Sequence, residues 1–92
     1  MSSEDSPGVL KVLESLSIHG WVPLRGMATL LGYNELRGIY QRQRGRNAIP
    51  VVKVGGQYRV YEDVAIKILE REHDQMVLRL YRTIKKREKA DA

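Results

Sequence analysis

The stretch LLGYNELRGIYQRQRGRNAIPVVKVGGQYRV, residues 30–60, decides the fold of this chain. It begins in an apolar helical pattern that ends at Gly32, and Asn34 is a good capping residue for a further helix. Past Gly45, the apolar residues change from helical spacing to the β-branched and aromatic pattern of strands. The stretch therefore predicts two helices joined by a tight turn and followed by a β-hairpin.

The helix after the turn, over about residues 35–44, has two different faces by helical periodicity. The face expected in the core carries Leu36, Ile39, Tyr40 and Gln43. The opposite, exposed face carries Asn34, Arg37, Gln41 and Arg44. Arg42 and Arg46 flank this face, no acid occurs over residues 37–46, and Gly38 would let the backbone approach a ligand closely.

The hairpin has its tip at Gly55-Gly56, and its predicted register is open. A two-residue loop would pair Val54 with Gln57 and Val52 with Arg59, but a four-residue turn is also possible, so the face that each side chain occupies stays open. Either way, polar and basic side chains flank the tip, at Lys53, Gln57 and Arg59. Such a hairpin can reach phosphates or a minor groove.

Upstream of the quoted stretch, a first helix is predicted. Residues 1–6 are polar and acidic, and we expect them to be disordered. Ser6-Pro7 favours a helix start, and Gly20 favours its end. Its apolar residues follow helical spacing, at Val9, Leu10, Leu13 and Leu16. Residues 21–23, Trp-Val-Pro, are predicted to form an extended connector.

Downstream, residues 62–89 contain neither proline nor glycine and predict one helix, roughly 42 Å long at ~1.5 Å per residue. The apolar spacing of its later part is close to that of a two-helix seam. The predicted dimer interface is Leu69, His73, Met76, Val77, Leu80, Tyr81 and Ile84. Folding of this stripe back onto its own domain is the alternative. The predicted division is thus a domain over residues 7–68, with a dimerisation arm and basic tail over 69–92.

Composition narrows the class of protein. The chain has 92 residues, and its 16 Lys plus Arg against 11 Asp plus Glu give a net charge of +5, which predicts one small basic domain. Without cysteine there is no disulfide, thiolate zinc finger or thiol nucleophile. No catalytic or cofactor motif occurs, so we expect no enzyme activity, no cofactor and no metal. No run approaches the ~20 apolar residues of a membrane span, which predicts a cytoplasmic, nucleoid-associated protein without membrane contact.

Two families resemble parts of this pattern. The stretch LLGYN at residues 30–34, the stretch IPVVKVGGQYRV at 49–60 and Glu62-Asp63-Val64 resemble excisionase and MerR-type modules. The start, at residues 9–13 and 18–21, and the long C-terminal helix are similar to PadR-type regulators. Small plasmid partition-site binders share this organisation. The resemblance implies a winged helix-turn-helix, mainly α with a small β-hairpin (α+β), with a long C-terminal dimerisation helix.

The exposed residue types indicate DNA as the partner. Arginine can bond guanine O6 and N7, and glutamine or asparagine can bond adenine N6 and N7, in a major groove. We therefore expect a homodimer that binds specific double-stranded DNA, as a transcriptional repressor or a partition-site binder. The alternatives are an excisionase-like recombination factor that bends DNA and an adaptor that docks another protein of a DNA-handling complex through its C-terminal helix.

Overall fold

The computed structural model describes residues 8–72 and 74–91, which form five helices and one small antiparallel sheet of three strands. The elements in chain order are α1 Gly8–His19, β1 Trp21–Pro23, α2 Leu24–Leu30, α3 Leu36–Arg42, β2 Val52–Val54, β3 Gln57–Tyr61, α4 Glu62–Arg71 and α5 Gln75–Asp91. A mainly α chain with a small β component, as the sequence predicts, is thereby confirmed. The expected disorder of residues 1–6 lies outside the described residues.

The sheet has the order β1-β3-β2, so the predicted hairpin is joined by a third strand. Residues 21–23, predicted to be a connector, pair antiparallel with β3, with Val22 opposite Val60. Both of these valines are fully buried. The backbone N–H of Glu62 also donates to the carbonyl of Gly20 at 3.0 Å. This hydrogen bond connects the residue before β1 with the residue after β3.

The hairpin has the two-residue loop, which settles the register that the sequence left open. Val54 pairs with Gln57, Lys53 with Tyr58 and Val52 with Arg59. Gly55 and Gly56 both have positive φ, 56° and 81°, as the tightest hairpin turns require.

Helices α2 and α3 are joined by a short turn, as predicted. Gly32 has φ 83° and its N–H donates to the Thr29 carbonyl at 3.2 Å, while that of Tyr33 donates to Ala28 at 2.9 Å. These bonds use carbonyls left free at the end of α2. Helix α3 begins one residue later and ends two residues earlier than the predicted 35–44.

The predicted single helix over residues 62–89 is wrong, because α4 ends at Arg71 and a separate helix, α5, begins at Gln75. The carboxylate of Asp74 accepts the N–H of Val77 at 3.3 Å and caps the new helix. The Asp74 N–H donates to the Leu69 carbonyl at 3.0 Å and closes the end of α4. The change of direction returns α5 to its own domain, where it packs mainly against α1 and α4.

One hydrophobic core joins all layers and extends across the predicted boundary between residues 68 and 69. Its buried members are Leu13, Leu16, Val22, Leu24, Met27, Ala28, Leu30, Ile39, Ile49, Val60, Ala65, Ile68, Leu69, Val77, Leu78 and Tyr81. The C-terminal segment is therefore part of the domain, and the predicted separate arm is wrong. Folding back of the stripe, the alternative left open by the sequence, is what the structure has.

The predicted dimer residues are accordingly divided. Leu69, Val77 and Tyr81 are buried within the chain, and Ile84 packs on the same core. Met76 and Leu80 remain exposed. His73 lies outside the described residues. A dimer through the whole stripe would require α5 to leave its core, so among the described members of the stripe Met76 and Leu80 are the ones exposed to a partner.

No helix among the described residues is long and apolar enough to cross a membrane.

Candidate nucleic-acid interface

The exposed side of α3 and its flanks carries the polar groups expected there. Asn34, Arg37, Gln41 and Arg44 are all exposed. Among the described residues, none of these arginines has an ion pair, and Arg46 beyond the helix end is exposed and unpaired as well. These side chains are therefore available to a partner at little cost in broken internal contacts.

The buried side of α3 is narrower than predicted. Ile39 is fully buried, and Gln43 is half-buried. The Gln43 side chain makes two hydrogen bonds with the backbone of Ile49, accepting its N–H at 2.6 Å and donating to its carbonyl at 3.0 Å. Leu36 and Tyr40, predicted in the core, are 44% and 52% exposed. A seven-residue helix packed on α2 covers only a strip of its surface, so these two residues join the exposed face.

Tyr40 and Arg25 were missed as candidate contact residues by the sequence analysis. Tyr40 is three residues after Arg37 and four before Arg44, so the same helical spacing also allowed it on the exposed stripe. Arg25 is exposed in the first turn of α2. No local signal distinguishes Arg25 from a solvated arginine, and only the fold brings it near the hairpin.

A cleft of about 290 Å³ lies between these helices and the hairpin. Arg25 and Tyr40 line it from the helices, and Gly56, Gln57 and Tyr58 line it from the hairpin. Lys53 pairs with Tyr58 across the hairpin, and its Nζ lies 5.5 Å from the ring centroid. The side of the hairpin next to α3 therefore carries one amine and one phenol.

Arg59, predicted beside Lys53 as a contact, lies on the opposite face of the sheet, because neighbouring strand residues alternate. Its guanidinium stacks on the Trp21 ring at 3.9 Å, and its Nε donates to Gln57 at 3.3 Å. The three predicted hairpin residues do not form one surface. Lys53 faces the α3 side, and Arg59 is held against β1.

Arg42 is an internal tether, contrary to its prediction as an exposed flank. Its side chain is 8% exposed and pairs with Glu72 at 3.0 Å. Its Nε donates to the Asn47 carbonyl at 2.8 Å and its Nη1 to the Tyr33 hydroxyl at 3.4 Å. Burial lowers the pKa of this guanidinium, but the hydrogen bonds with Tyr33 and Glu72 and the charge of Glu72 outweigh burial, and the pKa is raised.

Gly38 packs against a side chain of its own domain. Its lack of a Cβ makes room for Tyr33, whereas the sequence predicted that it makes room for a ligand. A Cβ at this position would lie 2.6 Å from Cδ1 of Tyr33. Tyr33 thus packs where only glycine leaves room, and it presents its hydroxyl to Arg42. Together, Gly38, Tyr33 and Arg42 hold α3 in place so that its other face points outward.

Comparison with known proteins does not assign a family. No protein-family model matches the chain, and neither characterised proteins nor solved structures give a match.

Proposed function

We propose that this chain is a winged helix-turn-helix protein that binds double-stranded DNA through the exposed face of α3. Two features support the fold assignment: α2 and α3 are joined by a tight turn, and a glycine-tipped hairpin follows them. The observation that carries the proposal is the exposure of Arg37 and Gln41 on α3 and of Arg44 two residues past its end, with neither arginine in an ion pair among the described residues. The opposite side of this segment is anchored by the hydrogen bonds of Gln43 to Ile49. These are the side-chain types that read guanine and adenine edges.

The hairpin is proposed to contact the DNA backbone beside α3. Lys53 supplies a positive charge, and the cleft lined by Arg25, Tyr40 and Tyr58 supplies a further charge and two phenols. Contacts of this kind position a protein on the duplex without reading its sequence. The base contacts of α3 would then specify the site.

The biological role proposed is repression or partition-site binding by occupancy of a specific site. The homodimer predicted from the sequence belongs to this proposal, but it must use a surface other than the buried side of α5. Selection of bound duplexes from a random pool, with the mass of the complex measured in solution, tests both parts. A symmetric site with half-sites about one turn, ~34 Å, apart and two chains bound supports the dimer. Equal binding of all duplexes would refute the specificity.

The second candidate is an excisionase-like factor that bends DNA. It is favoured by the return of α5 to its own core, which takes away the predicted arm and suits a monomer. Gel mobility of one selected site placed at different positions along a fragment tests it. A mobility that depends on position indicates bending, and a constant mobility excludes it.

Two arginines of α3, Arg37 and Arg42, are predicted to have opposite effects on DNA affinity and on stability. Arg37→Ala should weaken binding by about 1–3 kcal/mol for the selected site and relax the preference at one base pair. The free energy of unfolding of the Arg37→Ala protein should change by less than about 0.5 kcal/mol, because the Arg37 side chain is exposed. Arg42→Ala should instead lower the free energy of unfolding by about 1–2 kcal/mol, a value limited by the 40% exposure of Glu72.

Fluorescence anisotropy with the selected duplex and thermal melting measure the two effects on the same proteins. Arg44→Ala serves as a second exposed arginine and should behave like Arg37→Ala. If Arg37→Ala left both affinity and base preference unchanged while Arg42→Ala lost only affinity at full stability, the assignment of the two arginines would be reversed.

The hairpin provides a prediction about salt. Lys53→Ala should weaken binding to all duplexes by similar factors and reduce the slope of log affinity against log salt by about 1, because one phosphate contact is lost. Arg59→Ala is the matched variant on the other face of the sheet and should leave this slope unchanged. Titrations at several salt concentrations check both, and a slope that changes only in Arg59→Ala would contradict the proposed side of the hairpin.

A further inference from the structure

The outer side of α5 is an exposed surface that the DNA-binding proposal does not use. Met76 is 74% exposed and Leu80 is 37% exposed, one helical turn apart. Arg79, Lys86 and Arg87 are exposed on the same helix and have no ion pair among the described residues. We call these five residues the α5 patch. It has an apolar centre and a basic rim.

We propose that the α5 patch docks an acidic amphipathic segment of another protein, with apolar side chains on Met76 and Leu80 and carboxylates on the basic rim. From Gln75 to Arg87, α5 has five basic residues and no acidic residue. Charge complementarity therefore requires an acidic partner. An apolar centre surrounded by a polar rim is the usual anatomy of a protein interface, in which methionine and arginine are enriched.

A second copy of this chain does not fit the patch. Two α5 helices would place like charges opposite each other, which disfavours pairing. On α4, Glu62 pairs with Lys85 at 3.4 Å and Glu70 pairs with Arg82 at 3.8 Å within the chain. If two copies met through their α5 helices, these two acids would already be paired with bases of their own chain.

The chemistry of the patch also separates a protein segment from a membrane or a duplex. The rest of the apolar side of α5 is in the core, with Val77, Leu78 and Tyr81 buried. Over residues 75–87 of α5, the exposed apolar side chains are Met76 and Leu80, which are too few for the broad apolar face of an interfacial membrane helix. A DNA duplex would contact the patch through its phosphates, and the exposed apolar side chains would add nothing to such contacts. The combination favours an acidic helix that has its own apolar anchors.

The test uses the full chain and a fluorescein-labelled synthetic peptide about four helical turns long, with leucine at helical spacing and glutamate elsewhere. Two control peptides replace leucine by serine or glutamate by lysine. At about 0.15 M salt, the Glu/Leu peptide should bind at least about tenfold more tightly than either control. The double variant Met76→Ser, Leu80→Ser should weaken this binding about tenfold, and Arg79→Gln with Lys86→Gln should weaken it and reduce its salt dependence.

Three variants serve as controls. Leu10→Ser removes an exposed leucine from α1, and Lys67→Gln removes an exposed charge from α4. Both should leave peptide binding unchanged. Arg37→Ala should also leave it unchanged, which makes the patch independent of the proposed DNA surface. The melting temperature of the Met76→Ser, Leu80→Ser protein should fall by no more than about 10 °C, because Met76 is 74% exposed and Leu80 is 37% exposed, and the protein should be fully folded in the binding assay.

Several results would overturn the proposal. Equal binding of the glutamate/serine peptide would reduce the effect to bulk charge. Unchanged binding by Met76→Ser, Leu80→Ser would place the peptide elsewhere. A dimer in sedimentation that this variant dissociates would assign the patch to a second copy, and recruitment by phosphatidylserine vesicles without peptide binding would assign it to a lipid surface.

Discussion

Replacement of Leu78 by alanine is expected to lower the free energy of unfolding by about 2–5 kcal/mol. Leu78 is 1% exposed on α5 and belongs to the core shared with α1 and α4. Removal of its branched side chain loses apolar burial and leaves a cavity that the neighbouring helices fill only in part. The loss is a large fraction of the about 5–15 kcal/mol that stabilises an ordinary domain. Urea unfolding followed by circular dichroism measures it.

Leu80→Ala is the matched control, because it changes the same residue type two positions along the same helix. Its side chain is 37% exposed, and the expected loss is less than about 1 kcal/mol. The loss for Leu78→Ala should also be independent of protein concentration, since the contact lies within one chain. A loss that grows on dilution, or a larger loss for Leu80→Ala, would instead support the dimerisation arm predicted from the sequence.

Gly38→Ala is expected to lower the free energy of unfolding by about 1–3 kcal/mol, even though alanine is the better helix former by up to ~1 kcal/mol. The new Cβ would meet Cδ1 of Tyr33 at 2.6 Å and Cε1 at 3.2 Å. The ring must move, and its hydroxyl then loses its position against Arg42. For a domain of this size, each 1 kcal/mol corresponds to a melting temperature lower by about 4–8 °C.

Two further variants isolate the steric cause. Gly8→Ala adds the same methyl group to α1, at an ordinary 3.6 Å from Thr29 Cγ2, and should leave stability unchanged or slightly raised. In a Tyr33→Ala background the ring is gone, and Gly38→Ala should then cost little, which gives a measurable coupling in a double-mutant cycle. A Gly38→Ala protein that melts at or above the temperature of the unaltered chain would show that Tyr33 does not pack there.

Some of the candidate interface could be predicted because it depends on local pattern. The exposure of Arg37, Gln41 and Arg44 follows from helical periodicity, and the Gly-Gly pair marks the hairpin tip. Leu36 and Tyr40 show the limit of periodicity, because a pattern orients a helix but does not say how much of its apolar side finds a neighbour. Of Leu36, Ile39 and Tyr40, only Ile39 is fully buried in this small domain.

Arg42 shows a second limit. By local pattern it is one more arginine of a basic helix, but its carboxylate partner, Glu72, is 30 residues further along the chain. A contact between residues so far apart depends on where α4 ends, which in turn depends on the break before α5. Lys53 and Arg59 likewise lie on opposite faces of the hairpin, because Lys53 pairs with Tyr58 and Arg59 pairs with Val52.

The amino-acid sequence by itself determined the elements that local rules specify: an apolar stripe for α1, a tight turn before α3, a glycine-tipped hairpin and a basic, cysteine-free chain. Tertiary structure alone decided the strand at residues 21–23, the break after α4 and the burial of Val77, Leu78 and Tyr81. The physical reason is that a chain of 92 residues has a small core, and it gains more from covering these side chains itself than from extending one uninterrupted helix into solvent.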